Sequence, residues 1–129
     1  MIAEKSLKEF VETANKGRLH YNHDTKERWH RLARRIAKAL AERMGLKSSE
    51  HTIRFNRGGI AVCGETTLHA DWIYIQLSVS CFGPANRFMY RTCDGQWDYT
   101  GGVNRWMTFD ELLDLDAAAA KLAECRGEA

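Results

Sequence analysis

The 129-residue chain has no long apolar run, and its first twelve residues, MIAEKSLKEFVE, already carry several charges. This start predicts neither a signal peptide nor a membrane-spanning segment. Proline occurs once, at Pro84, and we find no internal repeat, linker or low-complexity tract beyond the short alanine run at 117–120. Hydrophobic residues make up 44% of the chain and charged residues 28%, which is typical of a soluble folded protein. We therefore expect one domain over residues 1–129, located in the cytoplasm and without membrane contact.

The cysteines show no C-x-x-C pairing, and in a reducing cytosol we expect them to be buried free thiols. There are four of them: Cys63, Cys81, Cys93 and Cys125. A small cysteine-dependent enzyme is a third functional alternative, with Cys63 approaching His69 or with Arg91 favouring the Cys93 thiolate. Nothing in the sequence supplies a base for Cys93 or an oxyanion site beside Cys63. Catalysis is therefore unsupported.

Metal-binding and catalytic motifs are also missing. His20, His23 and His30 have a spacing reminiscent of a metal site, but structural zinc needs four ligands and no second pair lies at a suitable separation. The chain contains neither G-x-S-x-G nor H-E-x-x-H. The Gly101-Gly102 pair does not lead into a helix N-terminus, as a phosphate-binding loop would. We predict no metal, no cofactor and no catalytic residue.

Two helices are predicted in the first third of the chain, because apolar residues recur there every three or four positions. The first covers residues 3–16. In the second, Asp24 and Glu27 have the spacing of a capping box and Gly45 is the predicted stop. The apolar stripe of this helix consists of Trp29, Leu32, Ala33, Ile36, Leu40 and Met44. Its basic side chains fall on the opposite side of the helix, and we single out Arg28, Arg31, Arg35 and Lys38.

From His51 onward apolar and polar residues alternate, which is typical of strands. Residues 57–59 predict a turn that joins a strand around Ile53 and Phe55 to a second strand at 60–63. The clearest strand covers residues 72–80. Its core-facing residues are Ile73, Ile75, Leu77 and Val79, and its other face carries Trp72, Tyr74, Gln76 and Ser78.

The Asp94-Gly95 pair predicts a hairpin with a two-residue type I′ turn, because Asp-Gly tolerates positive φ at both central positions. This turn would place Tyr90 opposite Tyr99 and Arg91 opposite Asp98, giving an ion pair across the strands. Under this register Tyr90, Thr92, Trp97 and Tyr99 share one face, and Arg91, Cys93, Gln96 and Asp98 share the other.

The C-terminal part predicts one more helix, which runs from a capping box at Thr108 and Glu111 to about Glu124 with a break near 114–116. Two N-terminal helices, an antiparallel sheet of four to five strands and one C-terminal helix make an α+β fold. The charges are divided along the chain. Residues 24–47 contain eight Lys or Arg against three Asp or Glu, whereas residues 108–129 contain two against six. We expect a dipolar molecule with one basic and one acidic helix.

Part of the chain resembles a known family. The segments L-H-A-D-W-I-Y-I-Q-L-S at 68–78, Y-R-T-C-D-G at 90–95 and D-Y-T-G-G at 98–102, followed by Asn104, are similar to small uncharacterised proteins of proteobacterial plasmids, prophages and integrative elements. The resemblance covers about residues 68–106, and D-Y-T-G-G-x-N is its most specific part. It implies a mobile-element setting and no catalytic residues. Compact proteins of that setting often bind host machinery, and anti-CRISPR proteins are a prominent group of this size.

The leading hypothesis is therefore a binding protein that blocks a host defence complex such as a CRISPR effector. We choose the candidate contact residues from the hairpin and the neighbouring strand, because Tyr, Trp and Arg are enriched at interface hot spots. They are Tyr74, Tyr90, Arg91, Trp97, Asp98 and Tyr99. The competing interpretation is that Tyr90, Trp97 and Tyr99 pack beneath a helix as core. The second functional hypothesis is a nucleic-acid-binding accessory factor that contacts phosphates through Arg28, Arg31, Arg35 and Lys38.

Overall fold

The structure, a computed structural model, describes residues 2–16, 19, 22–59, 63–79 and 88–128. Within these residues the chain has the predicted α+β fold, with two helices before a five-stranded antiparallel sheet and one helix after it. The helices are α1 (Glu4–Lys16), α2 (His23–Arg43) and α3 (Leu115–Ala123). The strands are β1 (His51–Asn56), β2 (Glu65–Ala70), β3 (Ile73–Ser78), β4 (Phe88–Thr92) and β5 (Arg105–Met107). Short 3₁₀ segments lie at Ser48–Glu50, Phe109–Leu113 and Glu124–Glu128. None of the helices in the described residues is both long enough and apolar enough to cross a membrane.

The first two helices pack against each other through the apolar faces that their periodicity predicts. Phe10 of α1 is fully buried and stacks on Trp29 of α2 with ring centroids 4.9 Å apart. Phe109 meets the Phe10 ring edge-on at 5.2 Å and ties the C-terminal segment to the same cluster. The remaining members of the predicted α2 stripe, Leu32, Ala33, Ile36, Leu40 and Met44, are buried as well. The helical periodicity therefore identified this half of the core.

The N-terminal cap of α2 differs from the prediction. The cap is Asn22, whose side-chain oxygen accepts the backbone N–H of Thr25 at 3.0 Å. Asn22 has extended backbone angles, so the observed cap lies two residues before the predicted cap at Asp24. The Glu27 carboxylate does not close a capping box and instead forms an ion pair with Arg57.

The five strands pair in chain order, β1-β2-β3-β4-β5, and each is antiparallel to its neighbours. One row of paired residues, Ile53, Leu68, Ile75 and Tyr90, lies on the face covered by α2 and the C-terminal segment, which we call the inner face. The next row, Arg54, Thr67, Gln76, Met89 and Trp106, lies on the opposite, outer face. The predicted orientation of β3 is correct: Ile73, Ile75 and Leu77 are buried in the core. Trp72 is the exception, since it precedes the strand and packs in the core beneath the Arg126 guanidinium.

The second strand is not where the sequence predicted it. β2 begins at Glu65, whereas Cys63 lies outside any strand and residues 60–62 fall outside the described part of the chain. Gly64 turns the chain into β2 with φ of 78°, and a Cβ atom there would lie 2.0 Å from the carbonyl oxygen of Asn56. Only glycine fits this close approach.

The predicted pairing of the Asp94-Gly95 hairpin is wrong. β4 pairs with Arg105–Met107, so Tyr90 lies opposite Arg105 and not opposite Tyr99. Neither Asp94 nor Gly95 has the positive φ that a type I′ turn requires. Residues 93–104 instead form a loop between the two strands. As a result Tyr90 is buried on the inner face while Tyr99 lies against the outer one, and the predicted shared face does not exist.

The C-terminal segment follows the sequence prediction closely. The backbone N–H of Thr108 donates to Glu111 at 2.8 Å, as a capping box requires. The helix is interrupted at Asp114, whose side chain accepts the N–H of Ala117 at 3.1 Å and thereby caps α3.

Candidate protein-binding surface

The 93–104 loop crosses the outer face of the sheet from β4 to β1. Gln96 accepts a hydrogen bond from the Thr52 hydroxyl of β1 at 2.6 Å and donates to the Asp71 carboxylate at 3.0 Å. The Tyr99 hydroxyl accepts from Arg54, also on β1, at 3.1 Å. The loop begins at the end of β4 and is anchored to β1, three strands away in the sheet.

Asp98 organises the loop from within. Its side chain is buried and accepts three backbone N–H groups: that of Asp94 at 3.0 Å, that of Thr100 at 3.0 Å and that of Gly101 at 2.8 Å. The N–H groups of Asp94 and Thr100 lower the pKa of Asp98 most; burial opposes them, and the Arg91 charge adds a smaller lowering effect. The carboxylate is therefore ionised at neutral pH. It supplies the loop with the acceptors that a strand ladder would otherwise provide.

Arg91 does not form the predicted ion pair across two strands. Its guanidinium donates to the carbonyl oxygen of Tyr99 and to the Asn104 side chain at 3.4 Å. It also lies 4.7 Å from the centre of the Tyr74 ring, a cation–π geometry. Arg91 thus links Tyr99 and Asn104, the two ends of the second half of the loop, to Tyr74 of β3.

The two glycines of D-Y-T-G-G-x-N leave room that a larger residue would fill. A Cβ atom on Gly101 would lie 2.2 Å from the Asp98 carboxylate. Gly102 has φ of 77°, and a Cβ atom there would lie 2.4 Å from the carbonyl oxygen of Thr92. Together with the contacts of Asp98, Tyr99 and Asn104, these restrictions show that the motif specifies the shape of the loop.

An aromatic cluster lies between the loop and the sheet. The Tyr99 ring meets His69 of β2 edge-on at 4.9 Å, and His69 meets Tyr74 of β3 at 5.0 Å. Burial lowers the pKa of His69 and raises the pKa of Tyr74. Both side chains are therefore uncharged at neutral pH, which suits the packed base of a loop.

Four large apolar side chains remain exposed on the loop and on the adjacent strand β5. Their exposed fractions are 75% for Trp97, 52% for Tyr99, 78% for Val103 and 45% for Trp106. Trp106 lies on the outer face opposite Met89, and Trp97 and Val103 belong to the loop that crosses that face. We call these four residues the aromatic surface. Contiguous exposed apolar patches mark interaction sites in soluble proteins, which makes these four residues the candidates for partner contacts.

The six candidate contact residues separate into three groups. Tyr90 is buried on the inner face and is removed from the contact set, as the competing core interpretation predicted for it. Tyr74 and Arg91 support the loop from beneath, and Asp98 holds it together from within. Trp97 and Tyr99 are exposed. Val103 and Trp106 were not among the predicted contact residues. The incorrect hairpin register assigned no strand to the residues after Gly102.

The basic candidates on α2 are all exposed, but they are not equivalent. Arg28 forms a two-pronged ion pair with Glu9 of α1, with one contact of 2.7 Å. Arg31, Arg35 and Lys38 form no ion pair with any described residue. The predicted stripe is therefore reduced to three free cations.

The described cysteines do not form a reactive site. Cys63, Cys93 and Cys125 are all buried, with Cys93 and Cys125 as free thiols; Cys81 lies outside the described residues, as does His20. Burial raises the pKa of both Cys93 and Cys125, and the Cys93 thiol donates to the carbonyl oxygen of Ala70 at 3.3 Å. The charge of Arg91 does lower the pKa of Cys93, but burial has the larger effect. Among the described side chains we find no group of three or more His, Cys, Asp or Glu residues arranged to hold a metal ion.

No protein-family model, curated protein or solved structure matches the chain.

Proposed function

We propose that this protein acts by binding another protein through the aromatic surface formed by Trp97, Tyr99, Val103 and Trp106. The observation that carries the proposal is the exposure of Trp97 and Tyr99, on a loop held by many hydrogen bonds, and of Trp106 on the adjacent strand β5. Trp and Tyr are the residue types that most often dominate the binding energy of an interface.

The rigidity of the loop favours tight binding. The buried Asp98 carboxylate fixes the turn, while Gln96 and Arg91 fix its two halves to the sheet. A loop that is ordered before it binds loses less conformational entropy in the complex. The exposed rings therefore need little rearrangement to enter a pocket on a partner.

The partner that we propose is a host defence complex, with a CRISPR effector as the first candidate. The support is the resemblance of residues 68–106 to proteins of plasmids, prophages and integrative elements. That segment includes the whole loop that presents the exposed rings. A small cytoplasmic protein that covers a working surface of such a complex would inhibit it by occlusion.

The direct test is a pull-down of purified CRISPR effector complexes, and of a host lysate with active CRISPR systems, using the tagged protein. We expect the wild-type chain to retain an effector subunit and the double variant Trp97→Ala/Trp106→Ala to lose at least about tenfold in affinity. Leu113→Ala is the matched control, because Leu113 is also 45% exposed but lies in the C-terminal 3₁₀ segment. Failure of the wild-type chain to retain any effector subunit would contradict the choice of partner. Unchanged binding by the double variant would contradict the choice of surface.

A further inference from the structure

A shallow groove of about 450 Å³ runs between α2 and the edge strand β1, on the helix-covered side of the sheet. Its walls and floor are formed by Arg31, Arg34, Arg35, Lys38, Ile53 and Phe55. The aromatic surface lies on the outer face and shares no residue with this groove. Any ligand of the groove is therefore distinct from the protein partner proposed above.

The side chains that line the groove carry only positive charge. Arg31, Arg35 and Lys38 are exposed and have no carboxylate partner among the described residues. Three other arginines do have carboxylate partners. Arg28 pairs with Glu9, Arg43 with Asp116 and Arg57 with Glu27. Four cationic side chains and no carboxylate line the groove, so it favours an anionic ligand.

The floor of the groove is partly apolar. The Phe55 ring is 36% exposed, and two guanidinium groups lie over it, that of Arg34 at 4.1 Å and that of Arg57 at 5.0 Å from the ring centre. The Nε atom of Arg34 is buried and has no hydrogen-bond partner among the described residues. Ile53 extends the apolar floor along the strand. A stacked guanidinium and ring provide a platform of the kind on which nucleobases stack.

The free cations are spaced along one side of α2. Arg31, Arg35 and Lys38 are separated by four and then three residues, which places them on one face at intervals of about 6 and 4.5 Å along the helix axis. A ligand with regularly repeated negative charges could contact all three. The apolar floor lies beside this row and not beneath it, so the same ligand would need flat apolar groups to one side of its charges.

We propose that this groove binds single-stranded nucleic acid, with phosphates along the Arg31, Arg35 and Lys38 row and bases against Phe55, Arg34 and Ile53. A duplex satisfies only half of this arrangement, because its base faces are stacked inside the helix. An acidic peptide satisfies the charges, but it does not carry a planar group in every unit. Each nucleotide of a single strand combines one phosphate with one accessible planar base, which matches both the cation row and the Arg34 and Phe55 platform.

The test is fluorescence anisotropy with labelled 20-nucleotide single-stranded RNA and DNA, the matching duplex and a polyglutamate peptide, each over a salt series. We expect single strands of either type to bind, with log K against log salt falling with a slope of about −2, since three phosphate contacts release counterions at about 0.7 per contact. Arg31→Ala/Arg35→Ala/Lys38→Ala removes most of this slope. Phe55→Ala lowers affinity about tenfold through lost stacking while leaving the slope nearly unchanged.

The control for net charge is Lys5→Ala/Lys8→Ala/Lys16→Ala, which removes three exposed cations from α1. An equal loss of affinity in this variant would overturn the proposal, because it would show an effect of total charge. Equal or tighter binding of the duplex or of polyglutamate, salt-insensitive binding, or no binding of single strands would overturn it as well. Circular dichroism melting of each variant separates lost binding from lost folding.

Discussion

A single buried carboxylate, that of Asp98, accepts three backbone N–H groups of the 93–104 loop. We predict that Asp98→Ala leaves the backbone N–H groups of Asp94, Thr100 and Gly101 without their acceptor, because each now donates to that carboxylate. The expected result is faster amide hydrogen exchange at these three positions and a melting temperature lower by several degrees. Hydrogen exchange followed by NMR measures the first effect, and thermal unfolding measures the second.

The control is Asp94→Ala in the same loop. The Asp94 side chain is exposed, and its backbone N–H still donates to Asp98 after the substitution. This variant should retain wild-type protection at Thr100 and Gly101. If Asp98→Ala showed the same protection as Asp94→Ala, the loop would have to be held mainly by Gln96 and Arg91.

The same residue explains why the hairpin prediction failed. Asp-Gly between two alternating stretches favours a type I′ turn locally, and that rule treats Asp98 as an ordinary strand residue. In the structure Asp98 instead accepts three backbone N–H groups. The predicted hairpin would have given it one side-chain contact, with Arg91 on the opposite strand. Whether the chain forms the hairpin or the loop depends on the burial of the Asp98 carboxylate. An alternating pattern of apolar and polar residues does not show that a polar residue is buried.

For the helices and strands, the predictions were correct where buried apolar residues recur at a regular interval. The faces of α1, α2 and β3 follow directly from such repeats, and the structure buries them as expected. β2 was missed because two of its three inner residues are Thr66 and Ala70, which give only a weak hydrophobic signal. Its position is determined by pairing with β1 and β3 on both sides, a tertiary effect that a local pattern does not contain.

The docking of α1 depends on one aromatic contact, and this gives a test of the helical layer. We predict that Phe10→Ala destabilises the protein by about 3–5 kcal/mol, because it removes a fully buried ring stacked on Trp29 and packed edge-on against Phe109. The midpoint of urea unfolding, followed by tryptophan fluorescence, measures the change. The loss should exceed the effect of any exposed substitution in the same helix.

Glu12→Ala is the matched substitution on the exposed face of α1. It should change the free energy of unfolding by less than about 0.5 kcal/mol, as is usual for surface positions. A Phe10→Ala variant as stable as Glu12→Ala would show that α1 contributes little to the folded core.

For the molecule as a whole, the sheet separates the two proposed binding surfaces. The α2 groove lies on the helix-covered side, whereas the aromatic surface is formed by the loop that crosses the outer face and by the adjacent strand β5. Substitutions in Arg31, Arg35 and Lys38 therefore leave the protein-binding surface in place, and substitutions in Trp97 and Trp106 leave the groove in place. A protein that used both surfaces at once would hold a nucleic acid and a protein partner on opposite sides of one sheet.

Two buried histidines make the stability of the whole fold depend on pH. The Nε2 atom of His30 lies 2.7 Å from the carbonyl oxygen of Cys63; because a carbonyl only accepts, Nε2 carries the proton. Its Nδ1 atom is buried without a partner among the described residues. Burial has the largest effect and lowers the pKa of His30, while the hydrogen bond to the Cys63 carbonyl opposes it; the charges of Lys26 and Arg57 lower the pKa further and that of Glu27 raises it. Burial likewise lowers the pKa of His69. The folded state thus favours neutral imidazole at both sites.

We predict that the protein loses stability as the pH falls from about 7 to 5, because histidines in the unfolded chain take up protons near pH 6.5 while His30 and His69 in the folded chain do so only at lower pH. Their contribution is fully present above the unfolded pKa and declines below it until the folded pKa values are reached. Melting temperatures measured between pH 7.5 and 5.0 should fall for the wild type and less steeply for His30→Gln/His69→Gln. His23→Gln is the control, because His23 is exposed at the start of α2 and should leave the wild-type slope unchanged. A wild-type profile as flat as that of the double variant would show that neither imidazole is held neutral by the fold.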